Sequence, residues 1–479
     1  MLPEVVSLNQ SSGLIRIPPC DGVPLSPRVR RIIDSAAMRR LSGISQLGMV
    51  SLVYPGAMHS RFEHSLGVYH NALRLLARFD GVDAFEALVD ESMCEAFVIA
   101  ALVHDIGHWP FCHPIEDMRL ADLEEHESRV ATWIQTSEIA DCIDSDWQTS
   151  VEDVLQLLQP TSTSPAVTFL ASCLSGPIDV DKLDYLQRDS LHAGVPYGHN
   201  FDASRLIASI CVHPEKGQLA VGEKGRTAAE MMVFARYVMF SEVYWHHTVR
   251  SATAMLQRAV FLLQNRFDLP SSLRLVDAEW IAMFKRASEG SVAEPLVDGL
   301  FGSRRQLYKR VAEFSAMPGH GKPGHRELGT SDRQSVHQRL ARRPYWWLVA
   351  CAESLARHLS QQLGIAIHAA DVLIDAPPAK LEVDINVDVV LRDGQALTLG
   401  DVSPVASALA NQQFDNQVKR VRVFVREGVC QQIESRSGSF EPTDSEANAS
   451  KAGASKASAA QNWAHWLGHA IDATEKEIA

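Results

Sequence analysis

No two cysteines in this chain of 479 residues stand at the CxxC spacing of a zinc knuckle or redox motif; the eight present (20, 94, 112, 142, 173, 211, 351 and 430) are scattered. That excludes a disulfide framework and makes a reducing, cytoplasmic compartment the expectation. Long apolar runs are missing as well: none reaches the roughly 18 residues that read as a bilayer span, and the opening MLPEVVSLNQSS has neither a basic stretch nor an apolar core. Neither a membrane association nor export is expected. Nor is there a basic excess. With 58 acidic and 45 basic side chains the formal charge is −13, which argues against an extended nucleic-acid-binding surface. No internal repeat is visible. What the chain does have is 46% hydrophobic residues over a length that suggests two or three domains, at least one with a sizeable core.

The pattern along the chain divides it. Residues 1–27 are Pro-rich and weakly patterned, an arm or short strands, and VSLVYP (50–55) suggests a short extended piece. From His59 onward amphipathic helices follow one another: 62–79, 85–106, 124–145, 151–158, 166–174, 180–190, 203–210 and 226–267. Such a run predicts an all-helical unit over 28–268. Residues 273–315 keep helical character, PGHGKPGHRELGTSDRQ (318–334) is a polar loop, and DVLIDAPPAK, KLEVDINVDVVL and KRVRVFVRE have strand character. SPVASALANQQFDN (403–416) suggests a helix on the small sheet. A smaller α+β unit over 269–430 is expected, giving a mainly α protein with an α+β C-terminal domain. SRSGSFEPTDSEANASKAGASKASAA (435–460) lacks the apolar surface to offset its ordering entropy, so a disordered linker over 431–460 is predicted. A short helix over 461–479 would dock through Trp463, Trp466 and Leu467. Trp346 and Trp347 suggest core or interface aromatics, and His320 and His325 an exposed loop.

The chemistry concentrates in His and Asp residues on successive helices. His64 lies in HSRFEHSLGVYH, His104 and Asp105 are adjacent in ALVHDIGHWPFCH, and DVDKLDYLQRD supplies carboxylates at 179–189. Imidazole and carboxylate from separate segments suit a divalent first-row ion, and the lack of thiolates disfavours a structural zinc centre. Adjacent His104 and Asp105 can both reach one ion only if the helix locally directs them into the same pocket. One Asp of 179–189 would complete four ligands, leaving two positions for water or phosphate.

The order H…HD…D, with QLGMVSLVYPGAMHSRFEHSLGV, HDIGHWPFCH, EHE, DVDKLDYLQRD and RYVMFSEVYWHH, resembles the HD superfamily of metal-dependent phosphohydrolases. The longer strings are similar to its deoxynucleoside triphosphate triphosphohydrolase branch, over about residues 27 to 265. The resemblance implies His64, His104, Asp105 and Asp181 as ligands to magnesium, manganese, iron or nickel, with Asp179 capping the next helix instead. It implies His108, His113 and His126 as pocket histidines, with His126 or His113 in acid–base work. Arg61, Lys182 and Arg236 correspond to phosphate or nucleotide contacts, Tyr185 and Asp189 to sugar contacts, and Gln46 and Leu47 to a pair below the ribose. Tyr244 and His246 recur at matching places, whereas His247 stands where one member of the family has Lys, with less fixed charge near neutral pH. A nucleotide substrate and a homo-dimer or tetramer are the implied partners. Competing readings are a phosphodiesterase, nucleotidase or single-strand nuclease acting on nucleic acid, a noncatalytic nucleotide sensor, and a helical scaffold.

Overall fold

Two helices organise the core of the computed structural model, which describes residues 1–10, 13–121, 123–316, 335–377, 387–409, 418–437 and 451–478. Helix α1 (Arg61–Phe79) starts at Ser60, whose hydroxyl accepts from the Glu63 amide at 3.3 Å and so satisfies one of the orphan donors of the first turn. Its buried face carries His64, Val68, Tyr69, Ala72, Leu73 and Leu76. Helix α2 (Glu91–Val103) ends in FVIAALV, apolar on every side and fully buried. It stops at Val103, and residues 104–107 leave as turns.

Around this pair lie α3 (Cys112–Glu116), α4 (His126–Gln135), α5 (Val180–Ala193), α6 (Arg226–Met239) and α7 (His247–Leu263). Asp179 caps α5, its carboxylate accepting from the Lys182 amide at 2.6 Å. Between α6 and α7 the residues Phe240–Tyr244 wind as a π-helix, a local widening of the helical turn often found at functional sites.

The first 268 residues are mainly helical, not wholly so. In the arm, β1 (Leu14–Ile17) pairs antiparallel with β2 (Cys20–Pro24). Further on, β3 (Ile210–Val212) and β4 (Leu219–Gly222) form a hairpin. The expected extended piece at 50–55 is a 3₁₀ helix, Gly48–Leu52, whose Met49 and Val50 are buried against the core.

Later residues build a second core. Strand β5 (Lys309–Phe314) occupies part of the stretch expected to be helical, since KRVAEF alternates and offers Ala312 and Phe314 to one face. It is followed by α8 (Tyr345–Leu363) and β6 (Val372–Asp375); β7 (Asp388–Val390) and β8 (Ala396–Thr398) come next, then β9 (Val421–Val425), α9 (Glu427–Ser437) and α10 (Lys451–Ile478). The sheet order is β5-β9-β6, both pairings antiparallel, and VRVFV is central and buried at all five positions. Strands β7 and β8 leave this unit: β7 pairs parallel with β4, so Val387, Val389 and Leu399 pack in the first core. Beyond residue 268 the chain thus returns to the first core.

Helices run into both ends of the stretch expected to be disordered. Residues 427–437 and 451–478 are helical, and the short terminal helix is the end of a 28-residue one. Ala and Lys favour helix even where apolar content is low, which a core-burial argument overlooks. Trp463 and Leu467 dock in the second core with Trp466 partly buried, as does Trp347, whereas Trp346 is exposed. The polar loop with His320 and His325, most of KLEVDINVDVVL, and the end of the 403–416 stretch lie outside the described residues; Pro404–Ala408 is a helix.

Candidate metal centre

The end of α2 answers how neighbouring residues can converge. His104, the C-cap of α2, keeps right-handed helical dihedrals, residues 104–107 run on as turns, and the His104 Nε2 lies 3.4 Å from Asp105 Oδ1. His64 comes from the first turns of α1, its Nε2 3.3 Å from that of His104 and 3.9 Å from Asp105 Oδ2. Asp181, in the first turn of α5, brings Oδ1 to 3.0 Å from His64 Nε2 and 3.8 Å from His104 Nε2. The four expected ligands thus meet, while Asp179 caps the helix and bonds Lys182 Nζ at 2.6 Å.

The hydrogen bonds on the far side of each imidazole decide whether a cation fits. His64 Nδ1 is 2.8 Å from Asp184 Oδ2, and His104 Nδ1 is 2.9 Å from the Ala101 carbonyl. Both partners are acceptors, so each Nδ1 donates and each Nε2 is left facing the shared space, where an ion would take the place of a proton. Two such nitrogens with carboxylates alongside are a donor set for a divalent ion. Burial alone would lower the His64 pKa, yet Asp181 and Asp184 reverse this to about 10, a measure of the anionic field there. Burial would raise Asp105, but the neighbouring His108, His104 and Arg61 hold it well below the usual carboxylate range.

Outside the ligands lies a ladder that the sequence reading did not single out. Arg188 grips Asp184 through two 2.8 Å bonds, and its Nη1 reaches Glu63 at 2.7 Å. Glu63 bonds His192 at 2.9 Å, and the His192 ring stacks on His59, whose Nε2 meets Asp189 at 2.9 Å. Gly67 is where α1 and α5 touch: a Cβ there would lie 1.9 Å from Asp184 Oδ1, so no side chain fits. Arg40 holds the turn from the other side, donating to the Ile106 and His108 carbonyls at 2.7 and 2.8 Å. The only hint of Asp184 and Arg188 was their i, i+4 spacing in DYLQR.

Arg61 joins the centre to a cavity. Its Nη1 donates to Asp105 Oδ2 at 2.8 Å, and it lines a cavity of about 660 Å³ with Gln46, Leu47, His113, His126, Lys182, Tyr185, Asp189, Arg236 and Tyr244. The π-helix delivers Tyr244, whose hydroxyl donates to Asp189 Oδ2 at 2.6 Å; burial, then the Asp189 charge, pushes that phenol far up, so it stays protonated. His246 and His247 do not line this cavity. The former caps α7, accepting from the Thr248 amide at 3.3 Å, and the latter borders a separate cavity with Arg310 and Tyr308.

On the opposite wall three histidines adjoin. His126 Nδ1 lies 2.8 and 2.9 Å from the two Glu116 oxygens, and Glu116 also accepts from the His126 amide. Burial opposes ionisation of Glu116, but bonds from His113 and His126 hold it far below the usual range. His108 is buried, its Nδ1 3.2 Å from Asp105 Oδ1 and its ring 3.8 Å from that of His126. Burial and the Arg61 charge push the His108 pKa well below its usual value. Gly107 permits this closeness, since a Cβ would meet the His126 carbonyl at 2.2 Å. The His113 side chain is 62% exposed and 3.8 Å from Glu116. Glu116 was missed, although it sits one helical turn after His113.

Residues 61–165 match the HD domain, and residues 201–344 the HD associated region. The chain is 32% identical over 295 residues to an uncharacterized protein of Methanocaldococcus jannaschii, covering 61% of this chain and 57% of that one. It is 33% identical over 237 residues to the deoxynucleoside triphosphate triphosphohydrolase SAMHD1 homolog of Dictyostelium discoideum, covering 47% and 45%. The chain thus spans about half the length of these curated relatives. In fold it is similar to the crystal structure of a phosphohydrolase from Bacteroides thetaiotaomicron, with a TM-score of 0.64 and 24% identity over 86% of this chain and all of that one.

Proposed function

The chain carries an HD domain of the metal-dependent phosphohydrolase class, and from that premise we propose that water cleaves a deoxynucleoside triphosphate here into the deoxynucleoside and inorganic triphosphate. One observation carries the reading: Arg61, Lys182 and Arg236 line one cavity with Tyr185, Asp189 and Tyr244, and Arg61 bonds directly to the His64–His104–Asp105–Asp181 cluster. Three cations suit a polyphosphate, and the aromatic rings with an acceptor suit a sugar. A relative whose name states this activity adds support.

A divalent ion held by His64, His104, Asp105 and Asp181 would oppose developing phosphoryl charge and lower the pKa of a bound water. The protein's own groups do the rest. Arg61, Lys182 and Arg236 hold the phosphate chain against the centre. Asp189, fixed by His59 and Tyr244, keeps lone pairs for a sugar hydroxyl, while Tyr185 lies against the ring and Gln46 and Leu47 border its other side. His126 is the better acid: an ionised Glu116 holds its Nδ1–H and leaves Nε2 for the proton that the leaving 5′ oxygen needs. The exposed His113 lacks that restraint, and His108 serves as packing between His126 and Asp105.

Incubating metal-loaded protein with the four deoxynucleoside triphosphates, the ribonucleotides, a deoxynucleoside monophosphate and single-stranded DNA, then resolving products chromatographically, tests this. Deoxynucleoside and triphosphate in equal amounts are expected. Orthophosphate from the monophosphate alone, or shortened DNA, would replace the proposal with a nucleotidase or nuclease.

A further inference from the structure

Far from the cavity, a second group of imidazoles joins α8 to α10. HWLGH places His465 and His469 four residues apart, on one face of α10, and both are exposed. Their Nε2 atoms lie 3.2 Å apart with the rings nearly perpendicular, at 86°. Two bonds of about 2.0–2.1 Å from a shared ion would subtend about 100° at that separation, near the tetrahedral angle. On α8, His358 stacks its ring on that of His469 with centroids 5.4 Å apart. His358 is stacked, not aimed, at His469, so its ring has to turn before a nitrogen faces the pair.

We propose that His465 and His469, completed by His358 from the neighbouring helix, hold a first-row transition ion that staples α10 to α8. Imidazole ligands without thiolate or carboxylate favour nickel, cobalt, copper or zinc over magnesium or calcium. The place gives the ion a task. Trp463, Leu467, Ala470 and Ile471 hold α10 by packing, and Arg339 pairs with Asp472 and Glu475 at 2.7 and 2.8 Å. A ligand from each helix adds a link that costs nothing in core volume, and binding to the docked arrangement stabilises it.

Equilibrium dialysis of the full chain against Ni²⁺, with bound metal counted by mass spectrometry, reads the site against other nickel-binding groups. Wild type should hold one more ion per chain than the H465Q/H469Q double variant, and H358Q should bind that ion roughly tenfold more weakly. Equal stoichiometry and affinity in wild type and double variant would overturn the site, leaving a hydrogen bond between two surface imidazoles. An unchanged affinity in H358Q would overturn the staple. Hydrogen exchange over residues 462–478 supplies the second readout: slowing by Ni²⁺ in wild type and none in the double variant is expected, whereas equal slowing in both contradicts the proposal. Circular dichroism checks the fold of each variant, and H465Q alone, at an exposed position, repeats the count.

Discussion

His64 faces His104 across 3.3 Å, and His465 faces His469 across 3.2 Å, yet the two pairs are built differently. In the first, Asp184 and the Ala101 carbonyl hold each far nitrogen, Arg188 holds Asp184, and Asp105 and Asp181 stand beside the facing nitrogens. In the second, both rings are exposed, and no carboxylate or carbonyl among the described residues holds a far nitrogen. Spacing alone does not distinguish a catalytic centre from a surface chelate; the supporting hydrogen bonds do. They fix tautomer and direction before an ion arrives.

The difference can be broken from either side. Asp105→Ala should abolish both tight ion binding and turnover while circular dichroism still reports a helical fold; turnover without the ion would end the metal account. His126→Gln should lower kcat by about 10²–10⁴-fold with little change in bound metal, and steady-state kinetics beside a metal count separates the two. Asp184→Asn touches no ligand position and should weaken metal affinity or activity by about 10–100-fold, read by titration. An unchanged affinity would make the ladder behind His64 structural only.

Two further variants test whether the second core supplies stability rather than chemistry. Arg250 and Asp375 form a buried pair at 2.5 and 3.1 Å between α7 and β6. Asp375→Ala should cost about 3–5 kcal/mol in denaturant unfolding. Glu313 sits among Arg310, Arg420 and Arg422; burial opposes its charge, but these arginines hold its pKa to about 2. Its folded-state value is depressed, so its contribution is complete above about pH 4.5 and lost as pH falls toward 2. Glu313→Gln should flatten the acid side of the stability curve over that window.

Much of this was legible beforehand. Periodicity located α1 and α5 within a residue or two at most ends, and the side chains that converge at the candidate centre lie in local strings, with Asp181 preferred to Asp179 only by the resemblance. The supporting groups were not: Asp184 matters because it lies opposite Gly67, and Arg40 because its helix passes the 104–108 turn, contacts that no single window of sequence contains. The same limit hid the pairing of β4 with β7, which links residues more than 160 positions apart. His247 illustrates the converse, a motif neighbour of Tyr244 that the π-helix and the cap of α7 turn toward another cavity.

Hydrolysis in H₂¹⁸O tests the central claim most directly. Attack of water on the α-phosphorus breaks its bond to the 5′ oxygen, so mass spectrometry should find one ¹⁸O in the released triphosphate and none in the deoxynucleoside. Label in the nucleoside, or release of pyrophosphate or orthophosphate in its place, would contradict it.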